Sequence, residues 1–417
     1  MTEATRRQRG GLLRHHDFRH LWAADALSQL GNRVSLLALP LLAAETLAAS
    51  TFEVGLLRAV QTAAFLVLGL LVGAWCDRLR SLPVLVVADV ARAVALGSIP
   101  VAAALGVLML TQVYVAVLVA GVLSVFFDIA HHTYLPRLLP AGHLLEANAR
   151  LRGNAAVAAT AGPTVSGVLV QLFGPPVAVL VNALGYLWSA LWLRGITARE
   201  PAPPRPARRH LGREIGEGLR LVFGHPVLRA FGLHGATFTL FQSLHVTLGV
   251  LYLLRELHLS PGGIGLLTSL GLTGSLAGAL CARRVADALG QDRAVAVFGV
   301  VAGVACFGFP LTTGGPGLLW YGLGGFGSAF GVIVFTVAMA SRQQAICPPE
   351  LLGRMNATML FLIWGAIPLG SVAAGLLGEA IGLRPTLWVA AAGSLLAAAW
   401  LVWSPLWRGW SPEPEQR

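Results

Sequence analysis

Lysine is missing from this chain: all 30 of its basic residues are arginine. Without lysine there is no GxxxxGK[ST] phosphate loop, so the chain carries no ATPase of that kind. Schiff-base chemistry on lysine, and with it attachment of pyridoxal phosphate or retinal, is excluded as well. Charge is scarce altogether, at 12% of 417 residues, where soluble domains carry roughly 25%. Cys76, Cys281, Cys306 and Cys347 form no CxxC pair and no zinc spacing, so they read as small buried apolar residues. No HExxH motif occurs. Neither a metal nor a cofactor is expected.

Apolar residues make up 56% of the chain, and the mean hydropathy is +0.71. A water-soluble fold cannot hide that much oil, since even a 300-residue domain buries only about 75% of its surface. Disorder is excluded by the same composition. The solvent expected for this chain is a bilayer. Twelve stretches reach the roughly 20 apolar residues that a span requires: 18–44, 54–76, 83–106, 111–134, 153–173, 176–196, 227–254, 262–284, 292–313, 317–341, 355–378 and 385–405. The first is longer than the 7–15-residue apolar core of a signal peptide, so it reads as a retained span.

Arginine placement orients these spans. With the N-terminus inside, inside segments hold 25 arginines and outside loops hold two, Arg255 and Arg384. The positive-inside rule then puts both termini in the cytoplasm, as an even number of spans requires. The same asymmetry explains the net charge of +11. The basic face meets anionic lipid headgroups, and nucleic acid is not the expected partner.

Three segments follow: a six-helix bundle at 18–196, a cytoplasmic loop at 197–226, and a second six-helix bundle at 227–405. The loop opens with Pro201, Pro203, Pro204 and Pro206. Its second part sets Leu211, Ile215, Leu219 and Val222 on one face and Arg213, Glu214, Glu217 and Arg220 on the other. That pattern predicts an amphipathic helix on the cytoplasmic surface. The bundles also repeat each other. Residues 69–78 match 274–283 at six of ten positions, and Ser50, Gly55, Leu56 and Leu57 find counterparts in Ser260, Gly265, Leu266 and Leu267. Two parallel copies of six spans are a transporter architecture, with the substrate site at mid-membrane between them.

Several residues within this frame carry chemistry. Gly73 allows close helix approach. Asp77 and Arg78, at the cytoplasmic end of the second span, can form a latch through a helix terminus or an ion pair. Gly162, Pro163 and Gly167 make the fifth span closely packed and able to bend. Ionisable groups within spans cost several kcal/mol unless paired or wet, which makes them functional candidates. Asp25, Asp89 and Asp128 lie at a similar depth, and Arg92 shares a helix face with Asp89 at i+3. With Asp77 and Arg78 they are expected to form one cytoplasmic gate network, or else static ion pairs, with direct proton transfer by one of the acids as a third reading. Arg33 lies near mid-membrane, with Asp25 eight residues away. It faces a cavity, an acid on another helix, or an anionic group of a substrate. Asn32 and Asn182 are polar at mid-span, and Gln242 and His245, flanked by Phe238 and Phe241, are further cavity candidates.

Gly73, Asp77 and Arg78 resemble the signature between the second and third helices of the major facilitator superfamily. Gly162, Pro163, Ser166 and Gly167 are similar to that superfamily's antiporter signature. Ala282 stands where the second-half copy would carry its acid. A narrower resemblance spans residues 18 to about 405. It rests on Phe18-Arg19, Leu21-Trp22, Ser28, Leu30-Gly31, Ala88-Asp89, Arg92-Ala93, Phe127-Asp128 and the 349–357 segment. It points to the branch containing the enterobactin exporter, macrolide efflux proteins and transmembrane secretion effectors. In that branch acids often occupy the positions of Asn32 and Asn182.

The resemblance implies an all-α integral membrane protein of twelve helices in the major facilitator fold. It implies a secondary transporter of the inner membrane, not an enzyme. Its expected work is export of a small amphipathic or hydrophobic molecule (drug, macrolide or siderophore) by alternating access, in exchange for protons. Two rivals remain open on the sequence: a lipid or lysolipid translocator on the same fold, and a membrane-embedded transferase built on Asp128, His131 and His132. A receptor or scaffold without transport is a third.

Overall fold

A computed structural model describes residues 12, 15–76, 79–198, 200, 211–348 and 351–405, without side chains at 67, 69–71, 73–76, 141 and 211–215. The described residues form helices and no strand. In order, α1 is His16–Leu41, α2 Thr51–Cys76, α3 Ser81–Ala104, α4 Leu110–Leu138, α5 Leu144–Phe173 and α6 Pro175–Arg194. The linker helix α7 is Leu211–Gly224. Then follow α8 Pro226–Arg255, α9 Pro261–Leu289, α10 Gln291–Ala305, α11 Leu319–Ile346, α12 Leu352–Ile381 and α13 Leu383–Ala397. Short turns Gly308–Leu311 and Ala399–Val402 extend α10 and α13. Ten of these segments are long and apolar enough to cross a membrane. With α1 and α2, each 26 residues long, the long helices number twelve among the described residues.

The chain divides into two units. Unit 1 is Met1–Ala49, Val60–Ala207 and Ser260–Gly265, and unit 2 is Ser50–Ala59, Arg208–Leu259 and Leu266–Arg417. Compared with the expected bundles 18–196 and 227–405, each unit takes in the first turns of one helix from the other half.

In unit 1, α1 packs on α5 and α6, and α3 packs on α4 and α6. In unit 2, α8 packs on α12 and α13, and α10 packs on α11 and α13. The pattern is identical with the helices renumbered, so the duplication legible in the sequence is also a duplication of packing. Backbone details repeat too. Gly174 before α6 and Gly382 before α13 have φ of +83° and +90°, a left-handed region that only glycine enters cheaply.

The repeated glycines explain how the exchanged helix starts fit. In unit 1 a β-carbon on Gly167 would lie 3.1 Å from the Cα of Gly265. In unit 2 a β-carbon on Gly55 would lie 2.9 Å from the Cα of Gly375. Gly167 and Gly375 both stand seven residues before the left-handed glycine that ends their helix. In hydrocarbon, where no hydrophobic force draws helices together, such small-residue crossings let backbones meet.

The linker helix was expected on the membrane surface, and it packs onto α12. Val222 is buried with Val227, Phe231 and Met359. Gly218 meets Arg354 and Thr358, and Arg354 pairs with Glu217. Leu219, assigned to the apolar face, is 36% exposed. The side chains of Leu211, Arg213, Glu214 and Ile215 lie outside the described residues.

Candidate functional site

The candidate site is a polar strip on unit 1, carried by α1, α4 and α5 and braced by α3 and α6. It begins with α1. Buried side chains Ala24, Ser28, Gly31, Ser35 and Ala38 follow helical spacing down one side. Trp22, Ala26, Gln29, Arg33, Leu36 and Pro40 follow it down the opposite side, and every one of them is partly exposed. No residue of α1 from His20 onward reaches the exposure of Val87, Val94 and Val101 on α3. Those valines mark a lipid face, whereas the α1 stripe contains Gln29 and Arg33 and is polar at its middle.

Asp25 flanks this stripe and is buried. Its carboxylate accepts from the Asn154 amide of α5 at 2.9 Å and the Gln29 amide at 3.3 Å. Asn154 also donates to the Trp22 carbonyl at 3.2 Å, which fixes its orientation. Both carboxylate partners are neutral, and the nearby charge acting on Asp25 is that of another acid, Asp128. Asp128 is exposed, roughly opposite Val115 and Val119 on α4, whose exposed side chains define that helix's lipid face. His131 stacks on Phe127 one turn further along α4, and His132 meets His131 edge-on.

Asp89 and Arg92 behave differently. They form an ion pair whose side chains are 0% and 1% exposed. The guanidinium lies between the rings of Phe127 and Tyr186, 4.2 Å from each centroid, and donates to Ser124 at 3.3 Å. The planar cation satisfies both ring faces and the acid at once, which only arginine can do. Tyr186 in turn donates to Asn32, linking this pair to the middle of α1. Asn182 donates to Ser35 at 2.7 Å, and Ser166 to the Val34 carbonyl at 2.8 Å. The mid-span amides of unit 1 are thus helix-to-helix ties.

Arg33 has no hydrogen bond or ion pair among the described residues. Its stem is fixed by α5: a β-carbon on Gly162 would collide with the Cβ of Arg33. Gly162 therefore does more than allow a bend, since it seats an arginine. Pro163 and Gly167 follow it, both buried.

At the arginine-rich end of unit 1 lies a cluster absent from the expectations above. Glu200, beyond α6, accepts from the backbone N–H groups of Ser81 at 2.8 Å and Leu82 at 3.2 Å. It thereby caps the N-terminus of α3 in trans. Arg137 of α4 pairs with it at 2.6 Å. Asp17 of α1 accepts from the Thr197 N–H at 2.9 Å and its hydroxyl at 3.1 Å. Burial alone would raise both carboxyls, but these donors outweigh it and hold each below the usual carboxylate range. A lone acid in the arginine-rich stretch after α6 was the available signal for Glu200. Asn154 gave less signal, because amides in helices are common.

Gly73 lies within α2, and Asp77 and Arg78 lie outside the described residues. In unit 2, Gln242 keeps partial exposure, while His245 is 4% exposed and packs on Phe309 at a ring distance of 4.8 Å. His245 belongs to the core of unit 2 and does not line open space there.

Twelve long helices in two copies of one packing pattern, with an ionisable strip inside the spans, define a multi-pass membrane transporter. The chain matches the family described as transmembrane secretion effector over residues 11–412, and it belongs to that family of the major facilitator superfamily. It is a transporter and not an enzyme. It is 28% identical over 390 residues to the multidrug efflux pump Tap of Mycolicibacterium fortuitum, covering 90% of this chain and 92% of that one. Among solved structures it resembles the nucleoside transporter NupG, with a TM-score of 0.76 at 13% identity over 92% of this chain and 98% of that one. It also resembles a bacterial homologue of the iron transporter ferroportin, with a TM-score of 0.73 at 18% identity over 94% and 99%. At such identities the two structures speak to fold alone.

Proposed function

We propose that this transporter exports a small amphipathic or hydrophobic molecule from the cytoplasm by alternating access, in exchange for protons, with both termini cytoplasmic. The direction of transport is supported by likeness to a pump named for multidrug efflux. The topology is supported by the arginine asymmetry. The observation that carries the coupling is Asp25. A buried carboxylate held by two neutral amides, with a second acid beside it and no cation bonded to it, is the natural place for a proton. Asp128, exposed on α4, is the natural entry to it. The charge count agrees. Of Asp25, Asp89 and Asp128, only Asp89 is paired with a cation, Arg92, which leaves Asp25 with neutral partners inside the span.

The test is efflux of ethidium from cells expressing the chain, with and without an uncoupler. Export should stop when the proton gradient collapses, and acidification should be seen inside everted vesicles to reverse as substrate is added. Efflux that persists with the uncoupler overturns proton exchange.

A further inference from the structure

We infer that Arg33 is the head of a binding site for an amphipathic anion, a molecule with an apolar body and one carboxylate, sulfonate or phosphate group. This deepens the export reading and rests on it for the direction of transport alone.

Four observations converge. The stripe Trp22, Ala26, Gln29, Arg33, Leu36 and Pro40 is half-open along the whole length of α1, and α1 has no lipid-exposed side chain beside it. Arg33 is bonded to nothing among the described residues, and no acid lies near enough to act on its charge. Other mid-span polar groups on or beside this helix are tied: Asn32 to Tyr186, Ser35 to Asn182, Arg92 to Asp89. Finally, Gly162 presses on the root of Arg33 and so fixes where its side chain leaves α1.

An uncompensated guanidinium within a span is expensive unless water or an anion meets it. A fixed stem with a free planar fork is preorganised for two parallel bonds to an oxyanion. The stripe around it states the rest of the ligand. Trp22 and Ala26 lie on one side of the Gln29–Arg33 centre, and Leu36 and Pro40 on the other. A single charged head with an apolar body satisfies that order. A polyanion or a sugar would leave its polar groups against Trp22, Leu36 and Pro40 unpaired.

The test uses the full-length protein in phosphatidylcholine nanodiscs and two fluorescent probes of the same ring system. Anilinonaphthalene sulfonate carries the anion, and phenylnaphthylamine lacks it. R33Q should weaken sulfonate binding about ten- to hundred-fold, the cost of a lost charged hydrogen bond or two. It should leave the neutral probe within about two-fold. R33K, which keeps the charge and loses the fork, should fall between and carries the test if R33Q does not fold. Equal loss for both probes, or no loss for either, overturns the proposal. Added phosphatidylglycerol distinguishes the sources of the anion. Displacement of sulfonate from the wild type but not from R33Q assigns a lipid headgroup, and no displacement assigns a soluble amphiphile. Proton-driven ethidium efflux without an Arg33-dependent sulfonate preference keeps the export reading and sinks this one. The preference in a protein that moves no ethidium does the reverse.

Discussion

Helices α1, α4 and α5 of unit 1 and helices α8, α11 and α12 of unit 2 occupy equivalent places in the duplicated packing pattern, yet they hold opposite chemistry. The first set embeds Asp25, Arg33 and Asp128 within its spans. The second has no acid in its spans except Glu379 near the end of α12. In unit 2 the interior polar groups include His234, bonded to the Ala397 carbonyl at 3.0 Å, and His245 among aromatic rings. One architecture therefore carries two different placements of charge in its equivalent helices.

The comparison breaks first on Asp25. Asp25→Asn should reduce proton-driven ethidium efflux to background while dye binding persists, whereas His245→Phe in unit 2 should leave efflux at wild-type rates. Equal effects of the two variants would end the assignment of coupling to unit 1. Next in size, Arg92→Ala leaves Asp89 buried without its cation, a loss of about 3–5 kcal/mol. The expected readout is a collapse of the monodisperse fraction after solubilisation. Replacing both partners by leucine should recover much of it, and a single Arg92→Ala variant as stable as wild type would mean the pair is not buried in the membrane protein.

A smaller effect is expected at the glycine that seats Arg33. Gly162→Val forces α5 away from α1 at a cost of about 1–3 kcal/mol, the usual price of overpacking. It should lower thermal stability and displace the Arg33 head, so sulfonate binding falls more than neutral-probe binding. Equal binding losses would sharpen the comparison differently, by making Gly162 purely structural.

The smallest effect belongs to the clasp at the arginine-rich end. Glu200→Gln removes the charge that meets Arg137 and the α3 N-terminus, for about 1–2 kcal/mol. Because its folded carboxyl sits below the usual range, the clasp contributes fully at neutral pH. That contribution is lost as pH falls below the ordinary carboxylate range and through the folded value. Asp17 shifts in the same direction and should act with it. A thermal-unfolding series from neutral to acid pH should show a steeper decline for wild type than for Glu200→Gln. Parallel curves would remove Glu200 as a titrating tie.

Much of this was legible before any coordinates. Length and oiliness of the runs forced a membrane helix bundle, since a bilayer leaves the backbone no other way to satisfy its hydrogen bonds. The repeat of 69–78 at 274–283 announced two copies. The i+3 spacing named the Asp89–Arg92 pair, because within one helix spacing is geometry. Spacing could not say that Arg92 is clasped by Phe127 and Tyr186 while Arg33, on another helix, is left unbonded. Nor could it set Asn154 on Asp25, Glu200 on the start of α3, or Gly162 on the root of Arg33. Those partners lie on different helices, tens of residues or more away along the chain. Local pattern and the bilayer as solvent were enough to place the long helices and to find charged residues within them. Which charges are paired and which stay unbonded follows from helix rotation and crossing between distant segments, and no local pattern encodes those.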